Sequence, residues 1–173
     1  EHLAAIRADD GVLTLTTMRF ADEVVAVRVA TRAGETVVDT DEQPGNARPD
    51  KIPTLKPAFV KDGAVTAANS SSISDGAAAM VMTRESTAKA LGLPIVARVV
   101  SHAAHAHEPA LFTTAPVPAM QKALKKAGWS VEDVDLWEVN EAFAVVPMIA
   151  MQELGVPHDK INVNGGACAL GHP

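Results

Sequence analysis

Two hydrophobic periodicities run along these 173 residues, and the change from one to the other organises the chain. Residues 2–8, HLAAIRA, read as the end of a helix that Asp9-Asp10-Gly11 breaks. From Phe20 to Thr40 two β-branched runs, around a turn containing Gly34, predict a β-hairpin. Residues 41–57 carry four prolines and no periodicity, which predicts a long loop. Residues 64–92 read as a polar serine turn, a buried small-residue segment and a short helix closed by Gly92.

Beyond residue 92 the alternation becomes regular. Residues 93–105, LPIVARVVSHAAH, read as a buried strand. Residues 115–129 predict an amphipathic helix with proline in its first turn and Gly128 past its end. A strand at 134–140, an apolar helix at 141–155 and a strand entering a glycine turn at 161–171 complete the series. A β-α-β-α-β order from about residue 95 predicts helices packed over a largely parallel sheet, an α/β fold.

Composition narrows the function. Hydrophobic residues make up 47% of the chain but aromatics only 3%, so Ala and Val carry the apolar content and let layers pack closely. A net charge of −6, with only Lys122 to Lys126 as a small basic patch, excludes a general nucleic-acid surface. No apolar run reaches the roughly 18 residues of a membrane span. One cysteine cannot close an internal disulfide, which points to a reducing, cytoplasmic setting.

Several residues bear chemistry. His172 follows a glycine turn, where backbone can approach a ligand and an imidazole can exchange a proton near neutral pH; the alternative is a solvated chain end. Asn140 stands between a predicted strand and helix, a place for a helix cap or for an amide facing a pocket. Glu141 beside it reads as structural, and Ser71 in NSSSIS reads as turn chemistry or a ligand contact. Cys168 near His172 evokes a Cys–His couple, but its apolar neighbours Ala167, Ala169 and Leu170 favour core packing. His102, His105 and His107 resemble a metal cluster with no Asp or Cys to complete it, so a loop role is favoured and no metal is assigned.

Three stretches together, NSSSISDGAAA (69–79), VNEAFA (139–144) and NGGACALGHP (164–173), resemble the thiolase family, the CoA-dependent enzymes that join or cleave β-ketoacyl chains. LKPAF (55–59) and AGWSVEDVDLWEVNEAFA (127–144) extend the resemblance, which weakens before residue 20. It implies a layered αβαβα fold, represented here in part. Residues 1–70 would be the end of the CoA-binding loop domain, 71–94 the last of the N-terminal core half, and 95–173 the C-terminal core half as far as GHP. The chain is then expected to be an internal piece of a thiolase. The family's nucleophilic cysteine has no counterpart here, and neither does the second catalytic cysteine beyond GHP.

The resemblance also implies roles. His172 would activate the nucleophilic cysteine and hold the thioester oxygen, and Asn140 would donate to that oxygen through a water. Ser71 would bond the pantetheine part of CoA, Phe59 and Phe143 would line the thioester pocket, and Arg48 would lie near the adenine and phosphates. The implied activity is that of an acetyl-CoA acetyltransferase or 3-ketoacyl-CoA thiolase. Its substrates would be acetyl-CoA, acetoacetyl-CoA or other 3-ketoacyl-CoA, and CoA; no separate cofactor, nucleic acid or membrane is implied, and the assembly would be a homodimer or homotetramer. The alternatives are a catalytically inactive CoA-binding fragment and a small α/β protein using Cys168 with His172. SSS where ASG is usual, and LFTTAP where MGxGP is typical, leave acyl chain length open.

Overall fold

The computed structural model describes residues 5–9, 12–16, 25–40 and 42–173. Strands β1 (Ala5–Asp9) and β2 (Val12–Thr16) pair antiparallel, with Ala5 opposite Thr16 and Asp9 opposite Val12. This corrects the helix expected over 2–8. The Ala-rich run has helical propensity, but the facing Val-Leu-Thr-Leu-Thr run has the stronger strand character, and pairing overrides propensity. The helix break expected at Asp9-Asp10-Gly11 falls mostly outside the described residues; an Asp-Gly pair between two apolar runs is also a hairpin signature.

β3 (Val27–Thr31) and β4 (Gly34–Val38) form the expected second hairpin, with Thr31 opposite Gly34 across an Arg32-Ala33 turn. The Thr31 hydroxyl donates to the Gly34 carbonyl at 2.7 Å and accepts from the Ala33 amide at 3.3 Å, so the turn is tied by its own side chain. Both strands are exposed along their whole length. The proline-rich stretch is less irregular than expected. It holds a short helix α1 (Glu42–Asn46) and a 3-10 turn over Pro49–Thr54, entered through Pro49, whose fixed φ suits a first helical position.

The small-residue segment at 77–82 and the strand expected at 93–105 are not buried: Val81 is 96% and Val96 97% exposed. Neither joins a ladder among the described residues. An apolar run licenses burial only where a second layer and a neighbouring strand exist to receive it. Between them lies α2 (Glu85–Ala90), closed by Gly92 as expected.

The core lies further on. Helices α3 (Pro116–Ala127) and α4 (Val145–Leu154) each end on a left-handed glycine, Gly128 and Gly155. They pack with the 137–139 and 156–161 segments around Val117, Trp137, Val139, Val146, Ala150, Val156 and Ile161. Within this core, among the described residues, the predicted parallel sheet is represented by the parallel bridge between Trp137 and Ile161. Its two bonds run from the Trp137 amide to the Lys160 carbonyl and from the Asn162 amide to the Trp137 carbonyl, both 2.8 Å. A last helical turn, α5 (Ala167–Leu170), precedes His172. No helix among the described residues is long and apolar enough to cross a membrane.

Candidate active site

The three motif stretches, far apart in sequence, are stitched together by backbone bonds. The Ala144 amide donates to the Asn69 carbonyl at 2.9 Å, and the Ser71 amide to the Ala142 carbonyl at 3.2 Å. The His172 amide donates to the Ser72 carbonyl at 2.9 Å. Isolated bridges Ser70–Phe143 and Ile73–His172 mark the same two seams. The serine stretch is therefore a spacer between the loop that carries Asn140 and the loop that carries His172.

Its own geometry is fixed locally. Thr66 and Asn69 form a capping box around the 3-10 turn Ala67–Asn69, and the Ser70 hydroxyl donates back to the Thr66 carbonyl at 2.7 Å. The Ser72 and Ser74 hydroxyls bond each other at 3.0 Å, directly beneath Gly171. Gly171 sits at φ 96°, and an added Cβ would overlap the Ser74 hydroxyl, so only glycine lets the chain pass there into His172.

Asn140 and His172 meet. The Asn140 amide nitrogen lies 3.3 Å from Nε2 and 3.4 Å from Nδ1 of the half-buried imidazole. Near-equal distances allow either neutral tautomer to accept from it. The capping alternative for Asn140 drops out, because α4 begins only at Val145 and has Ala144 as its cap residue.

The other expected residues divide. Phe143 meets Phe59 edge-on at 5.8 Å between ring centres, and Phe112 tilts against it at 6.0 Å. In the sequence nothing marks Phe112 beyond its place in LFTTAP, the stretch that departs from the family pattern. The Ser71 hydroxyl donates to the Ala142 carbonyl at 3.0 Å, which leaves its lone pairs for a further donor. Arg48 is exposed at the entrance of the Pro49–Thr54 turn, and no described side-chain contact joins it to the rest of the site.

Cys168 is half-buried and its thiol donates to the Glu141 carbonyl at 3.7 Å rather than to His172. Burial, the neighbouring Glu141 charge and hydrogen bonding to Glu141 push its pKa up to about 12. A raised pKa disfavours the thiolate at neutral pH, the form in which a cysteine is nucleophilic. Around the histidines, Lys122 Nζ donates to His105 Nδ1 at 2.9 Å, His105 Nε2 lies 3.3 Å from His107 Nδ1, and His107 Nε2 donates to the Leu111 carbonyl at 2.7 Å. An ammonium at one end and a carbonyl at the other fix this chain of donors. It straps the 105–111 loop to α3, and desolvation together with Lys122 lowers the His105 pKa.

Two further residues shape the site without a strong signal in the sequence. Asn162 stands at φ 46°, a left-handed position that asparagine tolerates, and its side chain bonds the Val139 backbone. Glu141, which reads as structural, accepts from the Asn162 side-chain Nδ2 at 3.0 Å and from the Cys168 backbone amide at 3.2 Å.

Comparison with known proteins accounts for this arrangement. Residues 6–86 match the family model "Thiolase, N-terminal domain", and residues 93–173 match "Thiolase, C-terminal domain". An acetyl-CoA acetyltransferase of Pseudomonas aeruginosa is 47% identical over all of this chain and 44% of its own length. Among solved structures, the acetyl-CoA acetyltransferase of Bacillus anthracis superposes with a TM-score of 0.81 at 42% identity, over 89% of this chain and 39% of that one. A thiolase of Ascaris suum solved in complex with coenzyme A superposes with a TM-score of 0.77 at 42% identity, over 85% and 38%. The chain thus spans less than half the length of these relatives. Its backbone follows the layered α/β fold of such enzymes, in part. With family models matching residues 6–86 and 93–173 and the motif stretches joined in space, the chain belongs to the thiolase family.

Proposed function

We propose that this chain supplies the Asn140–His172 side of an acyl-CoA C-acyltransferase site, which condenses two acetyl-CoA to acetoacetyl-CoA or cleaves a 3-ketoacyl-CoA with CoA. The supporting observation is the amide of Asn140 held 3.3 Å from the His172 ring beside the Phe59–Phe143 pair. In this reading a cysteine thiolate attacks a thioester carbonyl, CoA leaves, and the acyl group passes to a second acetyl-CoA or back to CoA. Cys168, with its pKa near 12, is not that thiolate; the nucleophile comes from sequence outside these residues.

His172 takes the proton from the attacking thiol and returns it to the departing one. Its ring and the Asn140 amide face the oxygen on which charge builds, and one such donor typically contributes about 3–4 kcal/mol to the transition state. Phe59, Phe143 and Phe112 form an apolar wall for a short acyl chain, Ser71 meets the pantetheine, and Arg48 the phosphates. The unpaired cysteine fits a cytoplasmic setting and the reaction fits fatty acid metabolism. The exposed apolar runs around Val81 and Val96 fit burial in a homodimer or homotetramer.

The test is thiolysis of acetoacetyl-CoA by the protein expressed from its complete reading frame. Activity lost on His172→Ala supports the reading. CoA binding without thiolysis in the unmodified protein would instead make this a CoA-binding thiolase relative.

A further inference from the structure

Asn140 and His172 are both reached through loops, and loops alone do not hold two side chains at 3.3 Å. What holds them is a bracket built on Asn162. Just past the one-residue bridge of Ile161 to Trp137, the chain turns through φ 46°. The ladder would end there, but the Asn162 side chain continues it. Its Oδ1 accepts from the Val139 amide and its Nδ2 donates to the Val139 carbonyl, both at 2.8 Å. A side-chain amide thus replaces a strand partner, and both polar groups of the residue before Asn140 are satisfied.

The same Nδ2 donates to Glu141 Oε1 at 3.0 Å, which anchors the residue after Asn140. Glu141 Oε2 then accepts from the Cys168 amide at 3.2 Å, in the turn that leads to His172. No cation pairs with Glu141 among the described residues, so its carboxylate serves these two donors. A carboxylate only accepts, whereas a glutamine would turn an NH2 group toward one of them. Gly166 completes the fit, since an added Cβ would overlap the Glu141 carboxylate.

We infer that Asn162 and Glu141 are the positioning residues of the Asn140–His172 pair, setting its separation from both sides. This rests on the proposed role of that pair. In this inference their role is to act through Asn140 and His172.

The test uses the protein from its complete reading frame, with Asn162→Asp, Glu141→Gln, the double variant, and His172→Ala as control. Asn162→Asp keeps a residue type that tolerates the left-handed turn but removes the donor to Glu141 and to the Val139 carbonyl. Its kcat for acetoacetyl-CoA thiolysis should fall about 100-fold, the scale of a misplaced catalytic group, with KM changed less than about threefold. In the double variant the new side-chain amide at position 141 donates to the new carboxylate at position 162, so about tenfold of kcat should return. A folded Asn162→Asp protein with kcat within about threefold of wild type overturns the inference, as does a loss carried wholly by KM.

Should Asn162→Asp not fold, Glu141→Gln carries the test, with about a tenfold fall expected and a change under about threefold contradicting it. If His172→Ala is inactive while the bracket variants are not, the positioning inference alone fails. If His172→Ala keeps full activity, the reading of the pair fails. A crystal structure of Asn162→Asp gives a readout independent of turnover. The Asn140–His172 separation should open beyond about 4 Å, past hydrogen-bond reach, and an unchanged contact overturns the inference.

Discussion

The β3–β4 hairpin and the α3–α4 region make opposite use of similar residues. Val27, Val29, Val37 and Val38 are all exposed, whereas Val117, Val139, Val146 and Val156 are buried in one cluster. Between residues 45 and 116 Ala88 is the only buried one. The hairpin pairs the facing backbone groups of its two strands, and among the described residues no second layer covers it. The segments at 137–139 and 156–161 share one bridge and pack against two helices. The site is built where the second kind of packing occurs, because only a packed frame holds loops in register.

The largest effect is expected within the packed region. In the full-length protein His172→Ala should lower kcat about 100- to 10,000-fold while KM stays close to wild type, since general acid–base chemistry is lost and ground-state contacts are not. Steady-state thiolysis kinetics read this; a variant with intact turnover and weakened binding contradicts it.

Paired truncations in the two regions should differ in cost. Ile161→Ala should destabilise by about 2–5 kcal/mol, because it opens a cavity under α3 and α4. Val29→Ala in the exposed hairpin should change stability by less than about 0.5 kcal/mol. Denaturant melts of both variants decide it. An equal loss at Val29 would mean that this hairpin face is covered in the working assembly.

What is legible in the sequence follows the same division. The two long helices, their glycine ends and the β3–β4 hairpin are legible because each signal is local: a 3.6 period with caps, or two β-branched runs around Gly34. So are the three stretches that converge on Asn140 and His172, because their residue types carry chemistry. Burial of the segments at 77–82 and 93–105 is not legible, because it depends on a partner layer that no local pattern specifies. The Ala-rich run at 5–9 reads as a helix by itself, although its facing strand decides its state. Asn162 and Glu141 do not stand out as a pair because their value lies in contacts between positions 21 apart in sequence. An asparagine shortly before a double glycine is the one available hint.

The smallest effect concerns Cys168. Its thiol pKa is raised, so folding favours the protonated form; that contribution is present below the unfolded thiol value and is lost as pH rises toward about 12. Iodoacetamide should label it slowly at about pH 7–8 and progressively faster at higher pH. Cys168→Ala should leave turnover within a few-fold and cost about 1 kcal/mol. Fast, acetyl-CoA-protected labelling of Cys168 at neutral pH, followed by peptide mapping, would make it catalytic instead.

The central claim, that Asn140 and His172 together face the reacting oxygen, is tested most directly by a crystal structure of the full-length protein with acetyl-CoA bound. The thioester oxygen should lie within about 3.2 Å of a His172 ring nitrogen, with the Asn140 amide at the same oxygen directly or through one water. A thioester seated away from both residues, with His172 turned to solvent, would contradict it.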